Sequence, residues 1–339
     1  MKRLTLAIIN LLIFSEVSAQ QKPHYTQYIL NQFIINPAIT GIENYTDVKL
    51  SHRHQWVGVQ DAPVTTYFTL HTALGKRNFA GTATSNEMDN PRGRTSWENY
   101  QSAEPHHGIG MQVVNDRTGP LNRLAAYATY AYHLGLSPTT SISAGFGAGI
   151  INISLNADKL YFNVPIDPAV YNSGIINQVK PDLMAGIYLY SSNYFAGLSV
   201  QQIIPQKINF ANGAVVANST DEGKQVPHIF ASAGYRVLVG DNFNLIPSVM
   251  VKYVSPTPMQ ADLNAKLQYR DRAWIGATIR TGEGFAGMAG LNVSNSLSVG
   301  YSYDYTTSKL NTFSKGTHEI VVGFIIGNKY DDSCPKNVW

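Results

Sequence analysis

Three histidines, His52, His54 and His71, are of the residue type that binds zinc. His52 and His54 are two residues apart in an alternating segment, so they share one face of a predicted strand, and His71 lies in the next predicted strand. Three imidazoles can coordinate zinc, but no cysteine joins them and few carboxylates are near. The sequence therefore favours hydrogen bonding by these histidines, and we expect no metal site.

The glycine-rich segment 145–149, Gly-Phe-Gly-Ala-Gly, has the composition of a phosphate-binding loop. Such a loop requires a strand, a glycine turn and then a helix. These glycines instead alternate with apolar residues inside one predicted strand, which indicates small side chains on one face. The sequence contains no GxSxG, HExxH or P-loop motif. A hydrolase would need Ser, His and an acid on neighbouring strand ends, so we expect a non-enzymatic protein without a cofactor.

The first nineteen residues predict a cleaved secretory leader. Lys2 and Arg3 precede an apolar run, 4–14, that is too short to span a membrane as a helix. Residues 17–19, Val-Ser-Ala, provide small side chains at the positions of a cleavage site. Cleavage there would make Gln20 the first residue of the mature chain.

The composition excludes several classes of protein. The formal net charge of +3 is too small to indicate a nucleic-acid partner. The single cysteine, Cys334, excludes a disulfide scaffold. Charged residues are 14% of the chain, there are 20 tyrosines, and the mean hydropathy is −0.12. Low charge, many tyrosines and no long apolar run after the leader are typical of a membrane barrel with alternating strands.

Period-two alternation is the main evidence for the fold. Side chains on a strand point to opposite faces in turn, and a membrane barrel places apolar ones toward lipid and polar or small ones toward the lumen. Leu263 and Leu267, for example, alternate with Asp262 and Asn264. The alternation is clearest in residues 121–134, 142–150, 259–269 and 296–305. A soluble sandwich would need a second layer over such faces, and the chain leaves no stretch for it.

We therefore predict an all-β fold, a single closed antiparallel transmembrane β-barrel of about 14 strands. Most strands have about ten residues or more, enough to cross a bilayer at a tilt. Tyr130, Tyr132, Tyr188, Tyr190, Tyr301 and Tyr303 are expected in aromatic girdles near strand ends. The predicted strands span 46–57, 63–73, 107–115, 121–134, 139–152, 181–190, 193–204, 226–238, 242–254, 258–270, 272–281, 283–293, 295–306 and 316–327.

The lengths of the connections predict which end of the barrel faces outward. Outer-membrane barrels have short periplasmic turns and longer external loops. If both termini lie in the periplasm, each connection that follows an odd number of strands lies outside the cell. This count places 153–180, 205–225 and 307–315 outside. The exception is 74–106, a polar segment that parity places in the periplasm, where it would contact periplasmic machinery or form a tolerated insertion. The domain boundaries are then leader 1–19, N-terminal segment 20–45, barrel 46–327 and periplasmic tail 328–339.

The N-terminal segment is expected to lie inside or beneath the barrel as a plug. Many predicted lumen positions are glycine or serine, which leaves room for it. The predicted lumen also carries charges of both signs. That combination fits a water-filled pore as well as an occluded interior, and the sequence leaves the choice open.

Several short segments resemble the PorP/SprF family, in order and over residues 24–327. They are His-Tyr-Thr-Gln-Tyr at 24–28, Asn31, Asn-Pro-Ala-Ile-Thr-Gly at 36–41, Arg-His-Gln-Trp-Val-Gly at 53–58, Asp-Ala-Pro at 61–63, His-Thr-Ala-Leu at 71–74, Val-Asn-Asp-Arg-Thr-Gly-Pro at 114–120, Tyr-His-Leu at 132–134 and His-Glu-Ile at 318–320. The resemblance marks family-motif or plug positions at Tyr28, Asn31, Asn36, Pro37, Gly41, Gln55, Trp56 and Pro63. The 74–106 segment departs from the family, where a tight turn is usual.

The resemblance implies a non-enzymatic outer-membrane component of type IX secretion and gliding machinery in Bacteroidota-type bacteria. Such barrels work with periplasmic machinery, or support export and surface attachment of a large adhesin through its C-terminal domain. The expected partners are therefore outer-membrane lipid, such an adhesin, and periplasmic type IX components.

Apolar residues in two long loops are the candidate partner-binding residues, since buried aromatic and aliphatic side chains dominate protein interfaces. They are Tyr161, Phe162, Tyr171, Ile175, Ile176 and Phe210. The same residues could instead pack the loops together. The alternative function is a diffusion channel, or porin, because fourteen strands can enclose a polar pore.

Overall fold

The computed structural model describes residues 25–43, 45–75, 102, 104–156, 159, 175–208, 223–240, 242–269, 272–294 and 296–327. The predicted leader, the predicted tail and most of segment 74–106 lie outside the described residues.

Seventeen β-strands are present in the described part of the chain. They are β1 (Thr46–His54), β2 (Val64–Leu74), β3 (His106–Thr118), β4 (Leu121–Ser137), β5 (Thr140–Asn156), β6 (Ile175–Tyr190), β7 (Tyr194–Gln201), β8 (Gln206–Ile208), β9 (Gly223–Gln225), β10 (His228–Tyr235), β11 (Val237–Val239), β12 (Phe243–Val254), β13 (Gln260–Tyr269), β14 (Ala273–Arg280), β15 (Gly284–Asn292), β16 (Leu297–Thr306) and β17 (Thr317–Ile326). Strands β8 and β9 form a separate two-stranded sheet. Strands β10 and β11, interrupted at Arg236, make one wall strand, so the wall has fourteen.

The wall closes on itself and every pair of neighbours is antiparallel. Closure is made by β1 and β17, from Thr46 opposite Ile326 to His54 opposite His318. The ladder continues through β7, β10 and β12 in the same way. A closed sheet is required in a bilayer because backbone polar groups find no partner in hydrocarbon. The predicted closed 14-strand antiparallel barrel is confirmed.

Alternation sets the two faces of the wall. Leu263, Val299 and Tyr301 are exposed on the outside, whereas Asp262 and Asn264 are buried in the lumen. The pattern matches the period-two prediction. Tyr188 and Tyr190, however, are buried inside and do not join the outer girdle. Both tyrosines fall on the inward positions of β6, where they pack in a buried cluster with residues of the N-terminal segment.

None of the helices among the described residues is both long and apolar enough to cross a bilayer.

The two ends of the barrel differ in their connections. At one end, here called the base, β4–β5, β6–β7 and β13–β14 are joined by short turns, and the chain enters β1 and leaves β17. At the other end, here called the mouth, β5, β7 and β16 end before the long connections that follow them in the chain. Strand β2 ends at Leu74 and β3 begins at His106, both at the base, the end at which the sequence places segment 74–106.

Strands β5 and β6 are longer than the sequence pattern predicts. Strand β5 continues to Asn156 and β6 begins at Ile175, and these two residues pair with each other. Both strands therefore extend at the mouth into the segment predicted as a loop. The hydrogen-bonded pairing of β5 with β6 continues beyond the last residues that alternate between apolar and polar. Because the alternation reflects contact with lipid, it underestimates the length of strands that extend past the membrane.

Residues Tyr25–Glu43, here called the plug, fill the lumen. They form three short 3-10 helices, Thr26–Leu30, Gln32–Ile34 and Pro37–Ile39. Nearly all of these residues are buried. Their partners lie on inward faces around the whole wall, from Ser199 on β7 to Glu319 on β17. Of the two positions that the sequence allowed, inside or beneath the barrel, the segment occupies the inside.

Glycines in the wall let the plug backbone approach. A Cβ added at Gly108 on β3 would lie 1.9 Å from the carbonyl oxygen of Thr40. A Cβ at Gly145 on β5 would lie 2.5 Å from the carbonyl oxygen of Pro37. Both contacts are with backbone, which cannot move aside cheaply. Gly145, the first glycine of the glycine-rich segment 145–149, is thus a contact point for the plug.

A Gly108→Ala variant is expected to be less stable by about 1–3 kcal/mol, because the new methyl group overlaps the plug backbone. The loss appears as a lower temperature for the heat-dependent gel shift of the folded barrel. Gly287→Ala, whose added Cβ would meet nothing within 4 Å, is the matched control. Equal shift temperatures for the two variants would contradict close plug packing.

Candidate functional site

An ion-pair network holds the plug at the mouth. Nη1 of Arg53 donates to Glu319 Oε2 at 3.0 Å and to Thr26 Oγ1 at 2.7 Å, and Nη2 donates to Asp304 Oδ2 at 2.7 Å. Thr26 donates its backbone N–H to Glu319 at 2.9 Å. Glu319 has 0% exposure. Because a buried carboxylate is costly without partners, this network ties the plug to β1, β16 and β17.

A second buried pair extends the network to β13 and β14. Nε of Arg280 donates to Asp262 at 3.2 Å, and Nη1 lies 3.6 Å from Asp304 and 3.3 Å from Glu283. The two arginines therefore share Asp304. Charges from five strands and one turn are arranged at a single level of the lumen.

Side chains of the wall satisfy the polar backbone of the plug. Gln112 donates to the carbonyl of Phe33 at 2.5 Å, and Ser199 donates to the carbonyl of Ile35 at 2.6 Å. Short 3-10 helices leave such carbonyls without partners within the helix. The polar lumen therefore serves as a set of hydrogen-bond partners for the plug.

Histidines from three adjacent strands bind the plug at the base. His71 Nδ1 accepts the backbone N–H of Gly41 at 3.2 Å, and His106 Nε2 lies 3.1 Å from the Gly41 carbonyl. Nε2 of His133 donates to the Thr40 carbonyl at 2.8 Å. The rings of His106 and His133 stack with centroids 4.5 Å apart. This turn of the plug is thus held by three neighbouring strands of the wall.

The three histidines considered for zinc do not converge. His52 and His54 are exposed on the outer face, whereas His71 is buried in the lumen. His52 Nδ1 lies 2.9 Å from Thr66 Oγ1. In the part of the chain that the structure describes, no group of three or more His, Cys, Asp or Glu side chains is arranged for a metal.

The family-motif positions at 28–41 all belong to the plug. Tyr28 accepts a hydrogen bond from Asn264 on β13, and burial raises the pKa of its phenol. Asn31 donates to Thr69 at 2.9 Å, and Asn36 donates to the carbonyl of Ile187 at 3.0 Å. Pro37 starts the third 3-10 helix, and Gly41 has a φ of +75°, a conformation that glycine adopts readily. These positions shape and fasten the plug.

Gln55, Trp56 and Pro63 lie instead at the mouth. The N–H of Gln55 donates to the Pro63 carbonyl at 2.9 Å, and the N–H of Trp56 donates to Thr317 Oγ1 at 3.1 Å. The N–H of Val57 donates to the Gly316 carbonyl at 2.9 Å. The β1–β2 connection is therefore fastened to the connection between β16 and β17, which fixes this side of the mouth.

A cavity of about 530 Å³ opens at the mouth above the ion-pair network. Arg53, Arg280 and Asp304 line it, so the residues that contact Thr26 also form its floor. Its other lining residues include Gln55, Trp56, Pro63, Asp116, Glu283, Tyr305, Ser308 and Leu310. The sequence offered no signal for Glu283 or Leu310, which come from turns whose packing is set by tertiary structure.

The candidate partner-binding residues fall mainly beyond what is described. Tyr161, Phe162, Tyr171 and Phe210 lie outside the described residues. The backbone of Ile175 and Ile176 begins β6 at the mouth. Their role in partner binding stays a prediction.

Spaces between the plug and the wall are small. Three cavities there measure about 20, 40 and 10 Å³. One water molecule needs a cavity of at least about 10–15 Å³. These spaces hold at most a few waters each, so the described lumen is packed where the plug meets the wall.

An Arg53→Ala variant is expected to lose about 3–5 kcal/mol of stability, because Glu319 would stay buried without its cation. Urea unfolding in lipid vesicles measures the loss, with the exposed Lys309→Ala as control. An Arg53→Met, Glu319→Gln double variant should recover part of it, since both charges are gone. A double variant less stable than Arg53→Ala would refute this account of the network.

Several solved structures are similar to the chain in fold. They include the Acinetobacter baumannii outer membrane protein Omp33 (10% identity, TM-score 0.45, 85% of this chain and 100% of that chain). The Ralstonia pickettii toluene transporter TbuX is 8% identical, with a TM-score of 0.48 over 88% of this chain and 92% of that chain. The CymD monoaromatic hydrocarbon channel is 11% identical, with a TM-score of 0.45 over 89% and 92%. No curated protein matches the sequence.

The sequence of the chain also matches a known protein family. Residues 17–324 match the family described as type IX secretion system membrane protein PorP/SprF. This range contains all seventeen strands except the last two residues of β17, and it includes the whole plug. The resemblance found in the short motifs is thereby confirmed, and the chain belongs to the PorP/SprF family of type IX secretion system membrane proteins.

Proposed function

We propose that this barrel holds the C-terminal domain of a secreted surface protein, such as a large adhesin, during its export and display by the type IX system. The partner would bind the mouth, which would face the cell exterior. The family and the barrel fold support an outer-membrane component of type IX secretion that is non-enzymatic. What we add to this is the identity of the partner as an adhesin and the orientation of the mouth toward the cell exterior.

The packed lumen is the observation that carries this proposal. A diffusion channel needs a continuous aqueous path, whereas the plug is held at the mouth by Arg53 and at the base by His71, His106 and His133. A barrel with such an interior offers its ends as binding surfaces. That favours partner binding over the alternative of a porin.

The mouth also offers the kind of surface that a protein partner uses. Phe313 is 75% exposed and Leu310 is 38% exposed, both in the β16–β17 connection. The neighbouring Trp56 lines the cavity. Exposed aromatic and aliphatic groups with polar residues around them are typical of interface hot spots. The predicted loop residues Tyr161 and Tyr171 would enlarge this surface.

Deletion of the gene tests the function. One large secreted protein should disappear from the cell surface while nutrient uptake stays normal, because the barrel acts as an attachment site. Surface proteomics of intact cells and growth on small solutes measure the two effects. A Phe313→Ala, Leu310→Ala variant should weaken display at least several-fold, and Leu291→Ala, a 58% exposed residue at the base end of β15, is the control. Unchanged surface proteins in the deletion strain would contradict the proposal.

Removal of the plug tests the packed lumen. The intact barrel should be silent in planar bilayers, whereas a variant lacking residues 25–43 should conduct steadily, because it empties a polar fourteen-stranded lumen. Single-channel recording measures both, after the folded state of each has been verified by its heat-dependent gel shift. Large steady conductance by the intact protein would favour the porin instead.

The base is the second proposed contact. Segment 74–106 connects β2 and β3 there, and in the proposed orientation it would meet periplasmic type IX components. Co-purification from mildly solubilised outer membranes, with and without this segment, would identify them.

A further inference from the structure

The direction of the plug determines where the chain before it must go. Thr26 lies at the mouth, in contact with Arg53 and Asp304, whereas Gly41 lies at the base beside His71 and His106. The plug therefore runs from mouth to base, and β1 then returns to the mouth. The described ends of the protein, Tyr25 and Gly327, are at opposite ends of the barrel.

Only a short segment precedes Tyr25 in the expected mature chain. Cleavage after Ala19 leaves five residues, Gln-Gln-Lys-Pro-His at 20–24. Fully extended, five residues span about 17 Å at most. That reach cannot bring residue 20 back along the plug and out at the base. The small cavities beside the plug, about 20 Å³ next to Tyr25 and Tyr28, cannot admit a peptide.

The mouth cavity is the space within reach, and its chemistry suits this segment. Its floor is formed by the residues that contact Thr26, and its volume is about 530 Å³. Asp116, Glu283 and Asp304 contribute acidic groups. Asp304 is 9% exposed, and its Oδ1 has no hydrogen-bond partner.

The arginines do not cancel this acidity. Arg53 is paired with Glu319 and Asp304, and Arg280 with Asp262 and Glu283. Lys252 also interacts with Glu283 and Asp262, and Arg123 with Asp116. Five acids therefore face four cations, and an entering ammonium group meets an excess of one negative charge. Segment 20–24 carries the ammonium group of Lys22 and the α-amino group that cleavage creates at Gln20, together with the imidazole of His24.

We infer that residues 20–24 of this chain occupy the mouth cavity, with Lys22 against its acidic side chains. The first residues of the mature protein are then presented at the mouth, on the opposite side of the membrane from the C-terminal tail. This differs from the sequence expectation that both termini face the periplasm. It does not depend on which protein the mouth binds, and its test needs no partner.

Cysteine cross-linking tests the occupancy. In a Cys334→Ser background, Lys22→Cys is combined with Ser308→Cys in the cavity lining or with the exposed Ser294→Cys at the base. Ser308 and Ser294 both lie outside the strands, and the heat-dependent gel shift verifies folding. Oxidation of native outer membranes should cross-link Lys22→Cys to Ser308→Cys and leave the Ser294→Cys pair reduced. A cross-link only to Ser294→Cys, or none to Ser308→Cys, would overturn the inference.

Labelling of intact cells tests on which side of the membrane the first residues of the mature chain lie. A membrane-impermeant maleimide should label Lys22→Cys in the Cys334→Ser background, while native Cys334 in the otherwise unchanged chain should be labelled only after permeabilisation. The intact mass of the purified barrel should correspond to a chain that begins at Gln20. Labelling of Lys22→Cys and of Cys334 from the same side of the membrane, or a mass that retains the leader, would overturn the inference. Labelling of Lys22→Cys only after permeabilisation, with Cys334 labelled in intact cells, would instead reverse the proposed orientation of the barrel.

Discussion

The structure depends on the rule that buried backbone polar groups must find partners within the protein. In the wall, the rule requires a closed ladder, which the pairing of Thr46 with Ile326 completes. In the lumen, it requires partners for the carbonyls of short 3-10 helices. Gln112, Ser199 and His133 supply them. The polar inner face that would suit water in a channel is here used to bind a segment of the same chain.

The plug and the mouth depend on the same charged groups. Arg53 contacts the plug at Thr26 and the wall at Asp304 and Glu319, and it also lines the mouth cavity. The β1–β2 connection that follows it is fastened to Gly316. A barrel built in this way has a rigid floor beneath its mouth. Such pre-organisation would lower the ordering cost of the proposed partner binding.

The sequence predicted the wall well because lipid contact leaves a period-two pattern. Leu263 and Val299 are exposed and Asp262 is buried, as that pattern requires. The prediction from the sequence was wrong or incomplete where a position depends on contacts inside the lumen, which the period-two pattern does not record. Tyr188 was expected in the girdle, but it is fixed in the lumen by packing on Phe195 and by a hydrogen bond to Gln32. The plug position followed only from long-range contacts, such as Thr40 with Thr129, that no local spacing records.

The most direct test of the occupied lumen uses that last contact. The hydroxyl oxygens of Thr40 and Thr129 are 3.0 Å apart, so cysteines at the two positions are expected to bring their sulfur atoms together. In a Cys334→Ser background, oxidation of outer membranes should convert the Thr40→Cys, Thr129→Cys protein to a cross-linked form of altered gel mobility. If both thiols stay free to react with maleimide while the barrel is folded, the N-terminal segment does not occupy the lumen.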